Sequence, residues 1–151
     1  MLRNLVAKTA KNVRVAPAQV RSMSMAFNPT DPLNLESRLT EEEIMIKDVA
    51  HAFAQQELMP VVTEWSRKES FDPKIMAKMG EVGLLGATIE GYGCPGVSNT
   101  AYGLIAREIE RVDSGFRSAM SVQSSLVMFP IYSYASEAIK SKYLPELAKG
   151  K

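Results

Sequence analysis

Between residues 40 and 150 the apolar positions recur at the three- and four-residue spacing of helix faces, and no segment alternates convincingly with the period of two that marks a half-buried strand. Thr40 followed by Glu41, Glu42 and Glu43 reads as a capping box, in which the hydroxyl accepts from the Glu43 amide and the Glu43 carboxylate reaches back. The three acids also suit the positive end of the helix dipole. Ile46, Val49, Phe53, Leu58 and Met59 form the first apolar stripe, Pro60 is expected to kink or interrupt the helix, and Val61, Val62 and Trp65 resume the pattern. Asp72-Pro73 opens a second helix with Ile75, Met76, Met79 and Val82 on its apolar face and Gly83 as its C-cap.

Leu84 to Ile89 reads as an apolar connector, and Gly91, Gly93, Pro95 and Gly96 as a loop. No strand leads into a G-x-G-x-x-G pattern there, so the loop does not read as a phosphate cradle. Ser98 caps a third helix that buries Ala101, Leu104, Ile105 and Ile109 and closes near Arg111, with Arg107, Glu108, Glu110 and Arg111 on its wet side. Asp113-Ser114-Gly115 breaks the pattern, and a fourth helix runs from about Phe116 to Met128, ended by Pro130. Ser136-Glu137 and Leu144-Pro145 open two further short helical pieces. The fold class is therefore all-α, a bundle of antiparallel helices with short connections and no internal repeat.

Composition adds a leader to this picture. Residues 1–30 carry Arg3, Lys8, Lys11, Arg14 and Arg21 and no acid, so with a net charge of +1 overall the remainder is −4. A basic, acid-free segment with short apolar runs at Leu2, Leu5, Val6 and Val13 reads as a mitochondrial transit peptide and disordered leader over residues 1–26, and places the chain in the mitochondrial matrix. The domain then spans residues 27–151. Near-neutral charge argues against nucleic acid as a partner, and six serines, Gln123 and Pro130 make the uncharged span Ser118 to Ser136 too polar to cross a membrane. One cysteine, Cys94, excludes an internal disulfide and a cysteine-cluster metal site, and the single histidine, His51, reads as a solvated residue on a helix face.

One constellation carries candidate chemistry. From Arg107 to Ser125 a heavily charged helix hands over to one with almost no charge, and after Arg117 the next ionisable acid or base apart from tyrosine is Glu137. At about 100° per residue, Arg117, Ser121 and Ser124 fall on one line, with Ser118 and Ser125 to one side, while Phe116, Met120 and Val127 share the opposite flank. Arg117 with Ser121 one turn away is suited to hold a carboxylate by charge and hydrogen bonding together. Two other readings stand beside this one: Asp113, four residues before Arg117, or the nearby Glu110 ties the arginine into a local ion pair, and serines on a buried helix serve close helix packing.

Four stretches add a resemblance: E-L-M-P at Glu57 to Pro60, G-Y-G-C-P-G-V-S at Gly91 to Ser98, R-E-I-E-R-V-D-S-G-F-R-S-A-M-S-V-Q-S-S at Arg107 to Ser125, and K-Y-L-P-E-L-A-K-G at Lys142 to Gly150. From Phe27 to Lys151 the chain resembles the N-terminal helical domain of the acyl-CoA dehydrogenase family, and the third stretch points to the branch acting on glutaryl-CoA. That resemblance implies an FAD enzyme, a homotetramer, that oxidises glutaryl-CoA at its α and β carbons. It then decarboxylates the product to crotonyl-CoA, in lysine and tryptophan breakdown, and passes electrons to electron-transfer flavoprotein. It further implies that Arg117 and Ser121 hold the distal carboxylate of the glutaryl chain, with Ser118 also lining the substrate pocket. Phe116 stands where the resemblance leads one to expect tyrosine, and Phe129 where it leads one to expect histidine.

The resemblance also implies that the flavin-cradling segment and the glutamate that abstracts the α-proton would follow Lys151, so that no residue here is assigned as catalytic base, flavin contact or metal ligand. The chain alone is then expected to be inactive, as the N-terminal part of a longer enzyme. The rival expectations are a non-catalytic helical module associating with full-length subunits, and an acyl-CoA dehydrogenase for another short-chain acyl-CoA. If the leader is a transit peptide, N-terminal sequencing of the mature protein is expected to find a new terminus between Arg21 and Phe27; retention of Met1 or Leu2 would refute it.

Overall fold

The computed structural model describes residues 27–151, so the leader expected over residues 1–26 and its cleavage point lie outside the described residues. The chain divides into two units at Leu33. In the described part of the first, Asn28 makes a local turn, its Oδ1 accepting from the amide (3.0 Å) and hydroxyl (2.7 Å) of Thr30.

The second unit, Asn34–Lys151, holds α1 (Glu41–Phe53), α2 (Met59–Lys68), α3 (Lys74–Glu81), the strands β1 (Glu90–Gly91) and β2 (Cys94–Pro95), α4 (Asn99–Glu110), α5 (Ser114–Ser121), α6 (Phe129–Tyr134) and α7 (Glu137–Ala148). It is the expected all-α architecture, except that the glycine loop closes as a minimal antiparallel hairpin with Glu90 opposite Pro95 and Gly91 opposite Cys94, and that the two short pieces expected from Ser136 and Leu144 are one helix, α7, with Pro145 inside it.

Local chemistry explains most starts. The Thr40 hydroxyl accepts from the Glu43 amide at 3.2 Å and the Glu43 carboxylate accepts from the Thr40 amide at 3.0 Å, so the capping box forms at α1. Ser98 caps α4 by accepting from Ala101, and Asp113 caps α5 by accepting from Gly115.

Both prolines that were expected to interrupt helices are instead absorbed. Between α1 and α2 lies a π turn, Ala54–Leu58, in which the Met59 amide reaches back five residues to the Ala54 carbonyl. Between α5 and α6 lies a second, Val122–Met128, closed by the Phe129 amide on the Ser124 carbonyl. Pro60 and Pro130 then fall in the first turn of the following segment, where a missing amide is harmless. The extra residue in each wide turn moves a carbonyl out of the way of the ring. Pro130 therefore does not end the fourth helix, which continues to Tyr134.

Not all of the helix neighbours are antiparallel, although the pattern led one to expect it. Ser98, at the start of α4, donates to Glu43 near the start of α1 at 2.8 Å, and Glu108 near the end of α4 meets His51 near the end of α1 at 2.9 Å. Start pairs with start and end with end, so α1 and α4 run parallel, and residues 54–98 carry the chain back between them. Ala50, Phe53, Ala54 and Leu58 enter the core with Ile105, Ile109, the connector residues Leu84, Leu85, Ala87 and Ile89, and Phe116, Met120 and Met128. Val49, Met59 and Val82, placed in the apolar stripes by spacing, are instead 49%, 43% and 40% exposed.

Glu108 was assigned to the wet side of α4 and His51 to solvent, yet Glu108 is only 2% exposed. His51 Nδ1 lies 2.9 Å from one carboxylate oxygen, and since an ionised carboxylate only accepts, the ring nitrogen donates. Arg107 Nη2 and Arg111 Nη1 complete the cage at 2.9 and 3.2 Å, with their charged ends toward solvent. Burial is the largest single influence on this carboxyl and pushes it up. The hydrogen bonds from His51 and Arg107 and the charges of Arg111 and Arg107 together outweigh it and hold the group below its usual range.

A folded-state pKa below the unfolded value of about 4.3 means that the Glu108 contribution is fully present above that value and lost as pH falls through the lowered one. Glu108→Gln is therefore expected to cost about 2 kcal/mol near neutral pH, the scale of hydrogen bonds to a charged group. In urea unfolding the gap from wild type should shrink on acidification below about pH 4; a gap that does not change with pH would show that the charge of Glu108 is not what matters.

Two glycines give a sharper packing test. A Cβ on Gly80 would stand 2.6 Å from the Ala148 carbonyl oxygen, whereas a Cβ on Gly103 meets nothing within 4 Å. Alanine is the better helix former by about 1 kcal/mol, so Gly103→Ala is expected to stabilise by about 0.5–1 kcal/mol, while Gly80→Ala loses about 2 kcal/mol because backbone must move. Equal effects of the two substitutions would contradict the close approach of α3 and α7.

Candidate functional site

The corner between α4 and α5 builds the site. After α4 the amides of Val112 and Asp113 return to the Ile109 carbonyl, which turns the chain, and Asp113 uses its carboxylate to cap α5. This settles one of the alternatives left open by spacing: Asp113 is a capping residue and not the ion-pair partner of Arg117.

The partner is Glu110. Arg117 Nε donates to Glu110 Oε2 at 2.6 Å and Arg117 Nη1 donates to the Ser121 hydroxyl at 3.3 Å. Ser121 in turn donates to the Ser118 carbonyl at 3.2 Å, and Ser114 donates to the other oxygen of Glu110 at 2.5 Å. The Ser114 hydroxyl first, and then the Arg117 guanidinium, hold the Glu110 carboxyl below its usual range. The result is a continuous chain of hydrogen bonds, Ser114 to Glu110 to Arg117 to Ser121 to the Ser118 backbone.

Arg117 and Ser121 are thus brought together as the spacing suggested, and Ser118 is adjacent through its backbone. All three are half-buried, the Arg117 side chain being 36% exposed. Among the described residues Arg117 Nη2 has no hydrogen-bond partner, so the terminal edge of the guanidinium keeps donors for an anion. Ser121 keeps an acceptor lone pair beside it.

The serine line does not continue as drawn at 100° per residue. Beyond Ser121 the π turn adds about one residue per turn, and Ser124 rotates into the interior, where its hydroxyl accepts from the Gly86 amide at 3.0 Å. Ser125 meets the Tyr102 hydroxyl at 3.1 Å. These two serines therefore fix the helix against the connector and α4 and do not extend the Arg117 site. Val122 and Leu126, at four-residue intervals after Ser118, are 46% and 71% exposed and give the site an apolar continuation.

Two concavities lie close by without including Arg117, Ser118 or Ser121. One, of about 450 Å³, runs between α2 and the start of α5, with Trp65, Phe71 and Phe116 packed edge to face or tilted at centroid distances of 5.8–6.3 Å. The other, of about 220 Å³, is lined by Thr88, Asn99, Tyr102, Ser124, Ser125 and Phe129. Among the described residues no group of three His, Cys, Asp or Glu side chains gathers as a metal site, and no helix is long and apolar enough to cross a membrane. Cys94 is half-buried, and burial pushes its thiol up.

The alternative in which Glu110 ties Arg117 into a local ion pair is thus the arrangement found, whereas Ser114 is not singled out in the sequence, since it lies in a helix break whose geometry spacing alone does not provide.

Comparison with known proteins gives a consistent picture. The family described as acyl-CoA dehydrogenase, N-terminal domain, matches residues 40–151. An acyl-CoA dehydrogenase of Bacillus subtilis is 32% identical over 113 residues, which is 74% of this chain and 30% of the relative. The mitochondrial short/branched chain specific acyl-CoA dehydrogenase of Bos taurus is 30% identical over 143 residues, 94% of this chain and 32% of the relative. A glutaryl-CoA dehydrogenase from Mycobacterium smegmatis, solved in complex with FADH2, superposes with a TM-score of 0.76 and 39% identity over 78% of this chain and 31% of that one. The chain thus spans about a third of the length of these relatives.

Proposed function

The chain belongs to the acyl-CoA dehydrogenase family, and from that premise we propose that it is the N-terminal part of an FAD-dependent dehydrogenase whose substrate is glutaryl-CoA. The observation that carries the substrate is the Arg117–Ser121 pair at 3.3 Å, a guanidinium with donors to spare, braced by a hydroxyl, at the head of an otherwise uncharged helix. A dicarboxylic acyl chain needs such a group at its distal end, whereas a monocarboxylic chain would leave these donors without an acceptor, at a cost. Ser118 flanks the pair, and the exposed Val122 and Leu126 offer an apolar wall for the methylene groups.

FAD enters this reading through the family. The glycine hairpin does not fit a pyrophosphate cradle, since Tyr92 in its turn donates to Glu137 at 2.6 Å and that carboxylate would repel phosphate. Electron-transfer flavoprotein as acceptor, a homotetrameric assembly, a place in lysine and tryptophan breakdown and a mitochondrial matrix location complete the proposal. The last is supported by the acid-free leader of five cations.

A second reading keeps the family and changes the substrate to another short-chain acyl-CoA. Glu110 at 2.6 Å supports it, because the arginine already has a carboxylate. The same experiment separates the two. In the full-length enzyme Arg117→Ala is expected to lower kcat/KM for glutaryl-CoA by about 2–4 kcal/mol of transition-state binding, as for loss of a charge-assisted clamp, with butyryl-CoA turnover changed far less. Equal losses on both substrates, or no loss on glutaryl-CoA, would favour the purely structural arginine.

A further inference from the structure

The Arg117 guanidinium does not set its own orientation. Its Nε is taken by one oxygen of Glu110, and the other oxygen of Glu110 is held by the Ser114 hydroxyl at 2.5 Å. Glu110 sits on the last turn of α4 while Ser114 and Arg117 are both on the first turn of α5, so the carboxylate is gripped from both sides by one helix. Arg117 is the charged group that faces Glu110 from the helix packed against it, and its hydrogen bond and charge both help to hold the Glu110 carboxyl low.

We propose that Ser114 is a positioning residue for the anion site: its hydroxyl locks the Glu110 carboxylate in the rotamer that presents the terminal edge of Arg117, together with Ser121, to a distal carboxylate. This rests on Arg117 as the carboxylate clamp. Without the hydroxyl, Glu110 has one oxygen without a partner in the protein and is free to rotate or to swing across Nη1 and Nη2, where it competes with the incoming anion. The same loss lets Glu110 take up a proton more readily, because the Ser114 hydrogen bond is the foremost influence that keeps its carboxyl low. Ser114 is exposed at the first position of α5, where the helix is capped by Asp113 and does not depend on the Ser114 side chain. Its replacement is therefore not expected to unfold the corner.

The test uses the full chain with Ser114→Ala and Ser114→Thr. Titration of the Glu110 side-chain carboxyl carbon by NMR should give a higher midpoint in Ser114→Ala and a wild-type midpoint in Ser114→Thr. The Arg117 Nε–H resonance should broaden or shift in the alanine variant alone. With glutarate as the probe, Ser114→Ala should bind about threefold to tenfold more weakly, the scale of one hydrogen bond, and Ser114→Thr as wild type does. An unmoved Glu110 midpoint and Arg117 resonance in Ser114→Ala would overturn the proposal, as would failure of threonine to restore them. Absence of glutarate binding by wild type is a different result: it would defeat the carboxylate reading of Arg117, while the shifted midpoint and its rescue by threonine would still show Ser114 holding the pair.

Discussion

A proline inside a helix removes one donor and drives its ring at the carbonyl four residues back, and this chain meets that constraint twice in the same way. Before Pro60 and before Pro130 the helix widens into a π turn and then continues. The second instance decides what the candidate site contains. By adding a residue to the turn after Ser121, it sends Ser124 inward to the Gly86 amide and leaves Arg117, Ser118 and Ser121 as a short polar head. A regular helix with the same sequence would carry the serines on in one line, and the apolar Val122 and Leu126 would not stand where they do.

The rest of the second unit makes that corner stiff. Glu43 reaches Ser98 and Glu108 reaches His51, so the parallel helices α1 and α4 are tied near both ends. Gly86, tight against Met128 and Cys94, lets the connector approach the second π turn closely enough for its amide to meet Ser124. What remains to vary at the α4–α5 corner is side-chain orientation, and there the hydroxyl of Ser114 and the carboxylate of Glu110 act.

How much of this the sequence revealed depends on whether the governing interaction is local. Thr40 and Ser98 cap through amides three residues away, so those helix starts were legible from residue type, whereas Asp113, which reads as part of a break, caps α5 through the Gly115 amide. The π turns were not, because placing residues at 3.6 per turn assumes the regularity that Pro130 destroys. Glu108 is a different kind of failure. It lies four residues after Leu104 and three after Ile105, which puts it on the buried face, but its charge argued for water, and only the tertiary meeting with His51 supplied its partner. The parallel pairing of α1 and α4 was out of reach for the same reason, since nothing in either helix encodes the direction of the other. At the site, the i,i+4 contact of Arg117 with Ser121 could be read directly, whereas choosing Glu110 over Asp113 as the partner of the arginine required knowing how sharply the chain turns at Asp113.

An arginine already paired with a carboxylate can still select for a second one. Glu110 takes the Nε side of the guanidinium, so the terminal edge retains its donors, and the fixed planar fork lets two anions occupy different edges. The pair as a whole is close to neutral, so its attraction for an approaching anion comes from aimed hydrogen bonds more than from net charge. On the proposed reading such a site discriminates by geometry: an acyl chain that ends in a carboxylate satisfies the terminal guanidinium donors, and one that ends in a methyl group strips water from those donors and returns nothing. If Arg117 is the clamp proposed, orientation of the fork is the property on which selectivity rests, and the residues that fix Glu110 then matter as much as the arginine they serve.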